Sequence, residues 1–242
     1  SWLVYALTGI PLLLFAELGK VNWLLPTLTL GVALSFLSSI FRIPRMSLGD
    51  VGATLFALIY VGFFPVHMVL LRAIGRQAGI PFWQQDGFHY VFLTLAVIAA
   101  SDIGAYYVGK RFGRHPLYPE LSPKKTREGA LGGLASGVGV GLSMAWAVGL
   151  PLTHGFILST LLVVTAVLGD LMESKIKRES GVKDSGLLLQ THGGFLDRMD
   201  SYLFSAVVAY YYIHWIVRQE GLAQEFLHGV SRVALPPGGL FG

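Results

Sequence analysis

Long apolar stretches separated by polar segments dominate the sequence. About seven of them approach the roughly 20 residues that a helix needs to cross a bilayer. They lie at about 2–18, 21–41, 47–71, 90–109, 130–150, 155–172 and 201–217. The third is long and contains Pro65, where we expect a tilt or a break. The pattern predicts an all-α fold: a polytopic membrane helical bundle with about seven spans in this chain.

The composition agrees with a membrane protein. Hydrophobic residues make up 53% of the chain and charged residues 13%, whereas a soluble domain carries about 25% charged residues. The absence of cysteine excludes disulfides and thiolate metal sites. No run of Lys and Arg resembles a nucleic-acid-binding arm, so we expect no nucleic-acid partner. The chain starts at Ser1, inside an apolar stretch and without Met, and we expect further N-terminal residues, including spans, to precede it.

Two long polar loops indicate the orientation. Residues 110–128 and 173–200 are rich in Lys and Arg, and two spans separate them, so they lie on the same side of the membrane. Basic loops remain in the cytoplasm, which predicts that both loops are cytoplasmic. Arg72 and Arg76 fall on the opposite side and argue against this orientation.

Small residues recur every four positions in the fifth span. They are Gly129, Gly133, Gly137, Gly141, Ala145 and Gly149. This spacing places them on one helical face, where a neighbouring backbone can approach closely. We expect the face to pack against another helix, with access of a substrate to the backbone as the alternative.

The polar segment from Ser174 to Asp200 combines bases, glycines and acids. Its bases include Lys175, Lys177, Arg178, Lys183 and Arg198; His192 precedes Gly193-Gly194; and its acids include Asp184, Asp197 and Asp200. Basic side chains with flexible glycine backbone suit phosphate binding. Carboxylates on one helical face suit Mg²⁺, which prefers oxygen ligands and bridges to substrate phosphates. We interpret the segment as a nucleotide and metal site; an ordinary solvated loop is the alternative.

A second group of polar residues lies where an apolar span ends. Asp170 closes the span, and Glu173, Ser174 and Lys177 follow at i+3, i+4 and i+7, on one helical face. Carboxylates at a membrane boundary are unfavourable unless they are paired or bound to metal. An acid that merely anchors the helix end is the alternative.

Further candidates lie upstream. Asp102 falls inside an apolar span, which makes it a functional candidate, although it could instead form a structural hydrogen bond between helices. Tyr106 lies one turn later. Lys124, Lys125 and Thr126 offer charges and a hydroxyl to a phosphate, or anchor the loop at the membrane surface.

The motifs resemble those of CDP-diacylglycerol synthases, also called phosphatidate cytidylyltransferases. In that signature a Ser is followed, at fixed spacing, by Lys-Arg, Lys-Asp, His-Gly-Gly, Asp-Arg and Asp. The matching positions are Ser174, Lys177-Arg178, Lys183-Asp184, His192-Gly193-Gly194, Asp197-Arg198 and Asp200. Gln190 departs from the Pro or Gly usual in the family. The segment Ser122-Pro-Lys-Lys-Thr-Arg-Glu-Gly129 is also similar, and the resemblance covers about residues 90–217.

The resemblance implies a membrane enzyme that joins CTP to phosphatidic acid and releases pyrophosphate. It assigns metal binding to Asp170, Asp197 and Asp200, with Glu173 and Asp184 as further candidates; catalysis also to Lys177 and Arg178; and substrate binding to Ser174, Lys183, Asp184, His192, Gly193, Gly194, Arg198, Lys124, Lys125 and Asp102. The implied cofactor is Mg²⁺, with K⁺ as a candidate second ion. The implied assembly is a homodimer in a bacterial inner membrane, with its site facing the cytoplasm.

The expected organisation has three parts: an N-terminal transmembrane region at 1–89, a catalytic transmembrane domain at 90–217 and a tail at 218–242. Two other functions stay open at this point. A CTP-dependent lipid kinase would release CDP instead of pyrophosphate. An ion-coupled transporter would use Asp102 and Asp170 as an ion site, but it predicts two matching halves with broken helices, which the sequence lacks. A CDP-alcohol phosphotransferase would need an Asp-Gly-x-x-Ala-Arg segment, which we do not find.

Overall fold

A computed structural model describes residues 2–41, 47–179 and 196–219 of the chain. The described elements are almost all helical. In chain order the α-helices are α1 Trp2–Glu17, α2 Leu24–Phe41, α3 Leu48–Ala57, α4 Phe64–Ala73, α5 Asp86–Phe112, α6 Arg127–Ala147, α7 Leu152–Glu179 and α8 Leu196–Tyr212. Short 3₁₀ turns at Val21–Trp23 and Phe82–Gln84 precede α2 and α5. The strands are β1 Pro116–Tyr118 and β2 Ser122–Thr126.

Among the described residues, five helical segments are long and apolar enough to cross a membrane. They are Val21–Phe41, Leu48–Ala73, Asp86–Phe112, Arg127–Ala147 and Leu152–Glu179. The predicted class, a helical membrane protein, is therefore confirmed, but the predicted count of about seven spans is not. The two remaining predicted spans correspond to α1 and α8, which are shorter helices of 16 and 17 residues.

The third predicted span is continuous but irregular. A π-helical turn at Leu58–Phe63 joins α3 to α4, and Pro65 is the second residue of α4. Proline cannot donate the backbone hydrogen bond of a regular helix, so the ladder must be interrupted one turn before it. The irregularity therefore lies near Pro65, where the sequence indicated it.

The helices surround two apolar cores. The first is formed mainly by α1, α2 and α4 around Leu12, Leu24 and Val66. The second is formed by α4 to α8 around residues such as Leu93 and Leu162. Helix α4 contributes to both, so it joins the N-terminal helices to the C-terminal ones.

The small-residue face of α6 packs between α5 and α7, as the four-residue spacing predicted. The first five residues of the stripe are buried in the structure. A Cβ on Gly133 would come within 2.9 Å of the Ser101 carbonyl oxygen, and one on Gly141 would come within 2.4 Å of the Ser159 Cβ. Only glycine permits these approaches, so the stripe holds three helices at a short, fixed separation.

The loop between α5 and α6 contains a β-hairpin that the sequence analysis did not predict. Strands β1 and β2 pair antiparallel. Glu128 closes the hairpin by accepting hydrogen bonds from the backbone N–H groups of Arg114 and His115. The Thr126 hydroxyl accepts a hydrogen bond from the Gly129 N–H and caps α6. The hairpin therefore leads directly into α6 and fixes the lysines of β2.

Candidate active site

Three carboxylates meet where α7 and α8 approach each other. Oxygen atoms of Asp170, Glu173 and Asp200 all lie within 4.8 Å of one another. Asp170 and Glu173 are one turn apart on α7, and Asp200 lies in the second turn of α8. Glu173 and Asp200 are buried, at 2% and 7% exposure. The antiparallel arrangement of two successive helices thus concentrates negative charge in one place.

The close approach of the two helices depends on Gly169. A Cβ at this position would lie 2.4 Å from the backbone carbonyl oxygen of Asp200. A backbone atom cannot move aside as a flexible side chain can. Glycine at position 169 therefore allows the first turns of α8 to lie directly on α7, which brings Asp200 to Asp170 and Glu173.

Cations and an N–H group compensate this charge. The Lys125 ammonium forms an ion pair with the Asp170 carboxylate. The Lys177 Nζ lies 3.1 Å from the Glu173 Oε2, one turn along α7. Asp200 accepts a hydrogen bond of 2.7 Å from the Ser201 N–H. Because Lys125 lies on β2, the hairpin extends over the end of α7 and supplies a cation to the carboxylate cluster.

A cavity of about 570 Å³ opens beside the cluster. Its walls come from α5, the hairpin, α6 and α7. The charged and polar residues that line it are Ser101, Asp102, Tyr106, Lys110, Ser122, Lys124, Lys125, Thr126 and Asp170. Gly129 and Gly133 also line it, so glycine backbone forms part of the wall. The cavity is large enough for a nucleotide-sized ligand.

Lys110 is a cavity residue that the sequence analysis did not assign. Its ammonium lies 5.7 Å from the centre of the Tyr106 ring, a distance typical of a cation–π contact. Asp102, Tyr106 and Lys110 follow one another at four-residue intervals along α5. Extending the predicted span 90–109 by one residue would have included Lys110, which lies on the same helical face as Asp102.

The structure places the predicted site residues in three different situations. Asp170, Glu173, Asp200, Lys125 and Lys177 come together, and Asp102 and Lys124 line the adjoining cavity. Ser174 is half-buried on α7, and Arg178 is exposed in its last turn; neither lines the cavity.

The other predicted site residues lie beyond what the structure describes. Asp197 and Arg198 belong to the first turn of α8, but their side chains are outside the described part. Lys183, Asp184, His192, Gly193 and Gly194 lie outside the described residues altogether.

Comparison with known proteins agrees with the resemblance seen in the motifs. The sequence model of the cytidylyltransferase family matches residues 2–216. The phosphatidate cytidylyltransferase of Synechocystis sp. is 40% identical over 70% of this chain and 64% of its own length. The phosphatidate cytidylyltransferase of Mycobacterium bovis is 41% identical over 72% of this chain and 52% of its own length. That of Aquifex aeolicus is 36% identical over 73% of this chain and 62% of its own length.

The matches to the relatives and the match to the family model differ in how much of each protein they cover. The chain spans between about half and two thirds of the length of the relatives it matches. The family model, in contrast, extends over nearly all of the described residues, from the start of α1 into the π-helical turn Ile213–Val217 that follows α8. The chain belongs to the cytidylyltransferase family.

Proposed function

We propose that this protein transfers the cytidylyl group of CTP to phosphatidic acid, forming CDP-diacylglycerol and pyrophosphate. The observation that carries the proposal is the cluster of Asp170, Glu173 and Asp200 with its two lysines, next to a nucleotide-sized cavity in an apolar helical bundle. The activity stated in the names of the relatives is consistent with it.

The proposed reaction needs charge compensation more than proton transfer. A phosphate oxygen of phosphatidic acid attacks the α-phosphorus of CTP, a new P–O bond forms, and the bond to the bridging oxygen breaks so that pyrophosphate leaves. The attacking oxygen is anionic near neutral pH, so no strong base is required. The obstacle is repulsion between two polyanions, and preorganised cations reduce it. Lys110, Lys124 and Lys125 line the cavity wall, and they are the proposed source of these cations.

The carboxylate cluster supports a role for Mg²⁺. Oxygen donors alone, three carboxylates within 4.8 Å, form the type of ligand set that hard divalent cations prefer. Asp170, Glu173 and Asp200 would hold the ion, with Asp197 and Asp184 as further candidate ligands and K⁺ as a candidate second ion. Bound there, the ion would neutralise the carboxylates and draw charge from phosphate oxygens.

The remaining motif residues are proposed to bind phosphate. Lys183, His192, Gly193 and Gly194 match the family signature in the sequence between α7 and α8, and Arg198 matches it in the first turn of α8. Ser174 and Arg178 belong to the same signature on α7. Their roles follow from the motif alone, so individual substitutions are needed to separate them.

A second, apolar cavity supports a lipid as the acceptor. It has a volume of about 430 Å³ and is lined by Leu117, Arg127, Ala130, Leu131, Leu134, Val163, Val164, Val167 and Leu168. Leu117, Ala130 and Val167 line both cavities. A lipid could therefore keep an acyl chain against the apolar wall between α6 and α7 while its phosphate reaches the polar cavity.

The distribution of charge favours a cytoplasmic site. Lys110, Lys124, Lys125 and Lys177 lie at the same end of the bundle as the carboxylates, and basic residues concentrate on the cytoplasmic side. Arg72 and Arg76 lie at the other end and oppose this orientation, although Arg76 forms an ion pair with Glu17, with 2.5 Å between the charged groups. We propose a location in the bacterial inner membrane with the site facing the cytoplasm. A homodimer is proposed from the family resemblance.

The proposal is tested with purified protein in detergent, labelled CTP and phosphatidic acid. We expect CTP consumption only when phosphatidic acid is present, with equal amounts of CDP-diacylglycerol and pyrophosphate. EDTA should stop the reaction and Mg²⁺ should restore it. Release of CDP and a phosphorylated lipid alcohol would instead identify a lipid kinase. Absence of any lipid-dependent CTP turnover would reject the enzyme assignment.

A further inference from the structure

Tyr60 carries a buried hydroxyl group that the arrangement described above does not use. The residue is 1% exposed, and its hydroxyl has no hydrogen-bond partner among the described residues. Leaving such a group without a partner is unfavourable by the full desolvation penalty, so nearly all buried hydroxyls in folded proteins are paired. The orphaned hydroxyl therefore indicates a partner that the described residues do not supply.

The backbone at Tyr60 is also unusual. Tyr60 lies in the π-helical turn Leu58–Phe63, where an extra residue per turn widens the helix. Single π-helical turns are rare and occur frequently at functional sites. The π-helical turn sets the direction in which the Tyr60 side chain points away from the helix axis.

The ring contacts of Tyr60 place it beside the carboxylate cluster. Its ring centre lies 5.8 Å from that of Phe204, which is one turn after Asp200 on α8. It also stacks on Phe56, with ring centres 5.2 Å apart. These ring contacts place Tyr60 against α8, one helical turn from Asp200 of the cluster.

We propose that the Tyr60 hydroxyl donates a hydrogen bond to a phosphate oxygen of the substrate bound at the carboxylate cluster. The inference rests on the proposed function, because that function brings phosphates to this place. A phenol is a donor, and next to a cluster that binds polyanions the acceptor it lacks is an anionic oxygen. The aromatic ring meanwhile remains packed in an apolar environment, which suits tyrosine's combination of an apolar body and a polar tip.

Either substrate could supply the acceptor, since phosphatidic acid and CTP both carry phosphate oxygens. The shared chemistry is a hydrogen bond to an anion, and kinetics with each substrate varied separately distinguishes the two sources. In the Tyr60→Phe variant the ring contacts with Phe56 and Phe204 stay. Only the hydroxyl is lost.

Tyr212 provides a matched control. It is also a buried tyrosine, but its hydroxyl lies 2.9 Å from the His154 Nδ1 in a contact between α8 and α7. Tyr212→Phe should therefore lower the melting temperature of the substrate-free protein and leave the kinetic constants unchanged. Tyr60→Phe should leave that melting temperature unchanged or higher and should alter the kinetic constants, because no described residue pairs with its hydroxyl.

The experiment measures kcat/KM for phosphatidic acid and for CTP, together with the melting temperature with and without each substrate. For Tyr60→Phe we expect a loss of about tenfold to a hundredfold in kcat/KM for one substrate, the range for a hydrogen bond to a charged group. The melting temperature without substrate should not fall, and the stabilisation by that same substrate should decrease. The affected substrate identifies which phosphate accepts the bond.

Two results would overturn the inference. The first is unchanged kcat/KM for both substrates in Tyr60→Phe while the wild type is active. The second is a lower melting temperature without substrate and normal kinetics, which would make the hydroxyl structural. If the wild type itself turns over no CTP with phosphatidic acid, the proposed function fails. The Tyr60 inference then has its own test, which is the melting temperature with CTP and Mg²⁺ and with phosphatidic acid. Equal stabilisation of the wild type and of Tyr60→Phe by these ligands would overturn the inference.

Discussion

Buried polar groups are satisfied differently in the helices before residue 74 and in those after residue 85. In the N-terminal helices, Thr8, Thr27 and Ser35 are buried, and each hydroxyl donates to the carbonyl four residues earlier in its own helix. Such bonds satisfy the hydroxyl without fixing the position of any neighbouring helix. The apolar contacts around Leu12 and Val66 then hold these helices together.

In the C-terminal helices some hydroxyls, such as those of Thr94 and Ser159, also bond within their own helix, but other polar groups reach across to a neighbouring helix. The Ser136 hydroxyl on α6 donates to the Ala100 carbonyl on α5, at 2.9 Å. The His154 ring on α7 lies within hydrogen-bond distance of the Tyr212 hydroxyl on α8. These bonds, with the glycine contacts of α6, define the relative position of each helix. A site assembled from four helices and a hairpin needs such fixed positions, whereas an apolar wall does not.

The largest effect expected from this difference concerns the carboxylates of the C-terminal region. Asp170→Asn, Glu173→Gln and Asp200→Asn should each lower lipid-dependent pyrophosphate release by about a hundredfold or more, since bound metal contributes several kcal/mol of transition-state stabilisation. Folding should be retained, because removing one charge relieves repulsion within the cluster. The Mg²⁺ concentration needed for half-maximal activity should rise in any variant that remains measurable.

Glu17→Gln is the control from the N-terminal region. Glu17 also belongs to an ion pair, with Arg76, but both side chains are about half exposed. Its loss should leave turnover unchanged. Asn or Gln variants of the cluster that keep most of their activity would show that these carboxylates only pair with lysines at the helix ends.

The second prediction compares two lysines on α7. Lys177 pairs with buried Glu173 at 3.1 Å, whereas Lys175 pairs with Glu179 at 3.7 Å, and both of the latter side chains are exposed. Lys177→Met should reduce kcat/KM for CTP about tenfold or more, because a charge-assisted contact contributes about 1.5–3 kcal/mol. Lys175→Met should change it less than about threefold, since exposed pairs contribute little. Equal, small effects of both substitutions would indicate that Lys177 anchors the helix end at the membrane surface.

The third prediction compares two helical glycines. A Cβ at Gly169 would meet the Asp200 backbone, whereas one at Gly52 on α3 would meet nothing within 4 Å. Gly169→Ala should therefore push α8 away from α7, destabilise the protein by about 1–3 kcal/mol and reduce activity. Gly52→Ala should be neutral or stabilising, by up to about 1 kcal/mol, because alanine has less conformational freedom in the unfolded chain. Melting temperatures of both variants and their turnover provide the check, and a fully active Gly169→Ala would mean that the helix contact is not needed for the site.

The sequence predicted the parts of the site that depend on local spacing. The helical period placed Glu173 and Lys177 on the face of Asp170, and the order of the spans placed the start of α8 opposite the end of α7. The distant contact of Lys125 with Asp170 was not predictable, because it depends on a short hairpin whose residues have no strong strand pattern.

The position of Tyr60 beside the cluster could not be predicted from local spacing either. It lies among apolar residues in a region without charged motifs, so its sequence context indicated only a membrane span. Its proximity to the cluster follows from the packing of α4 against α8, together with a π-helical turn, and periodicity does not encode these features. Residues that act across elements are therefore the ones for which a structure was needed.

The smallest effect tests the comparison of hydroxyl groups directly. Ser35 is fully buried in α2 and bonds within its own helix at 2.7 Å, whereas Ser136 on α6 also bonds to the Ala100 carbonyl of α5. Ser35→Ala should be nearly neutral, because the Gly31 carbonyl that accepts its bond can still accept a helical backbone bond. Ser136→Ala should lower stability by roughly 0.6 kcal/mol, the average for hydrogen bonds between membrane helices. Unfolding in mixed detergent can measure a difference of this size when both variants are compared with wild type under the same conditions. If the two variants lose equal stability, polar contacts between helices do not distinguish the two regions, and the glycine contacts alone would account for the fixed geometry of the C-terminal one.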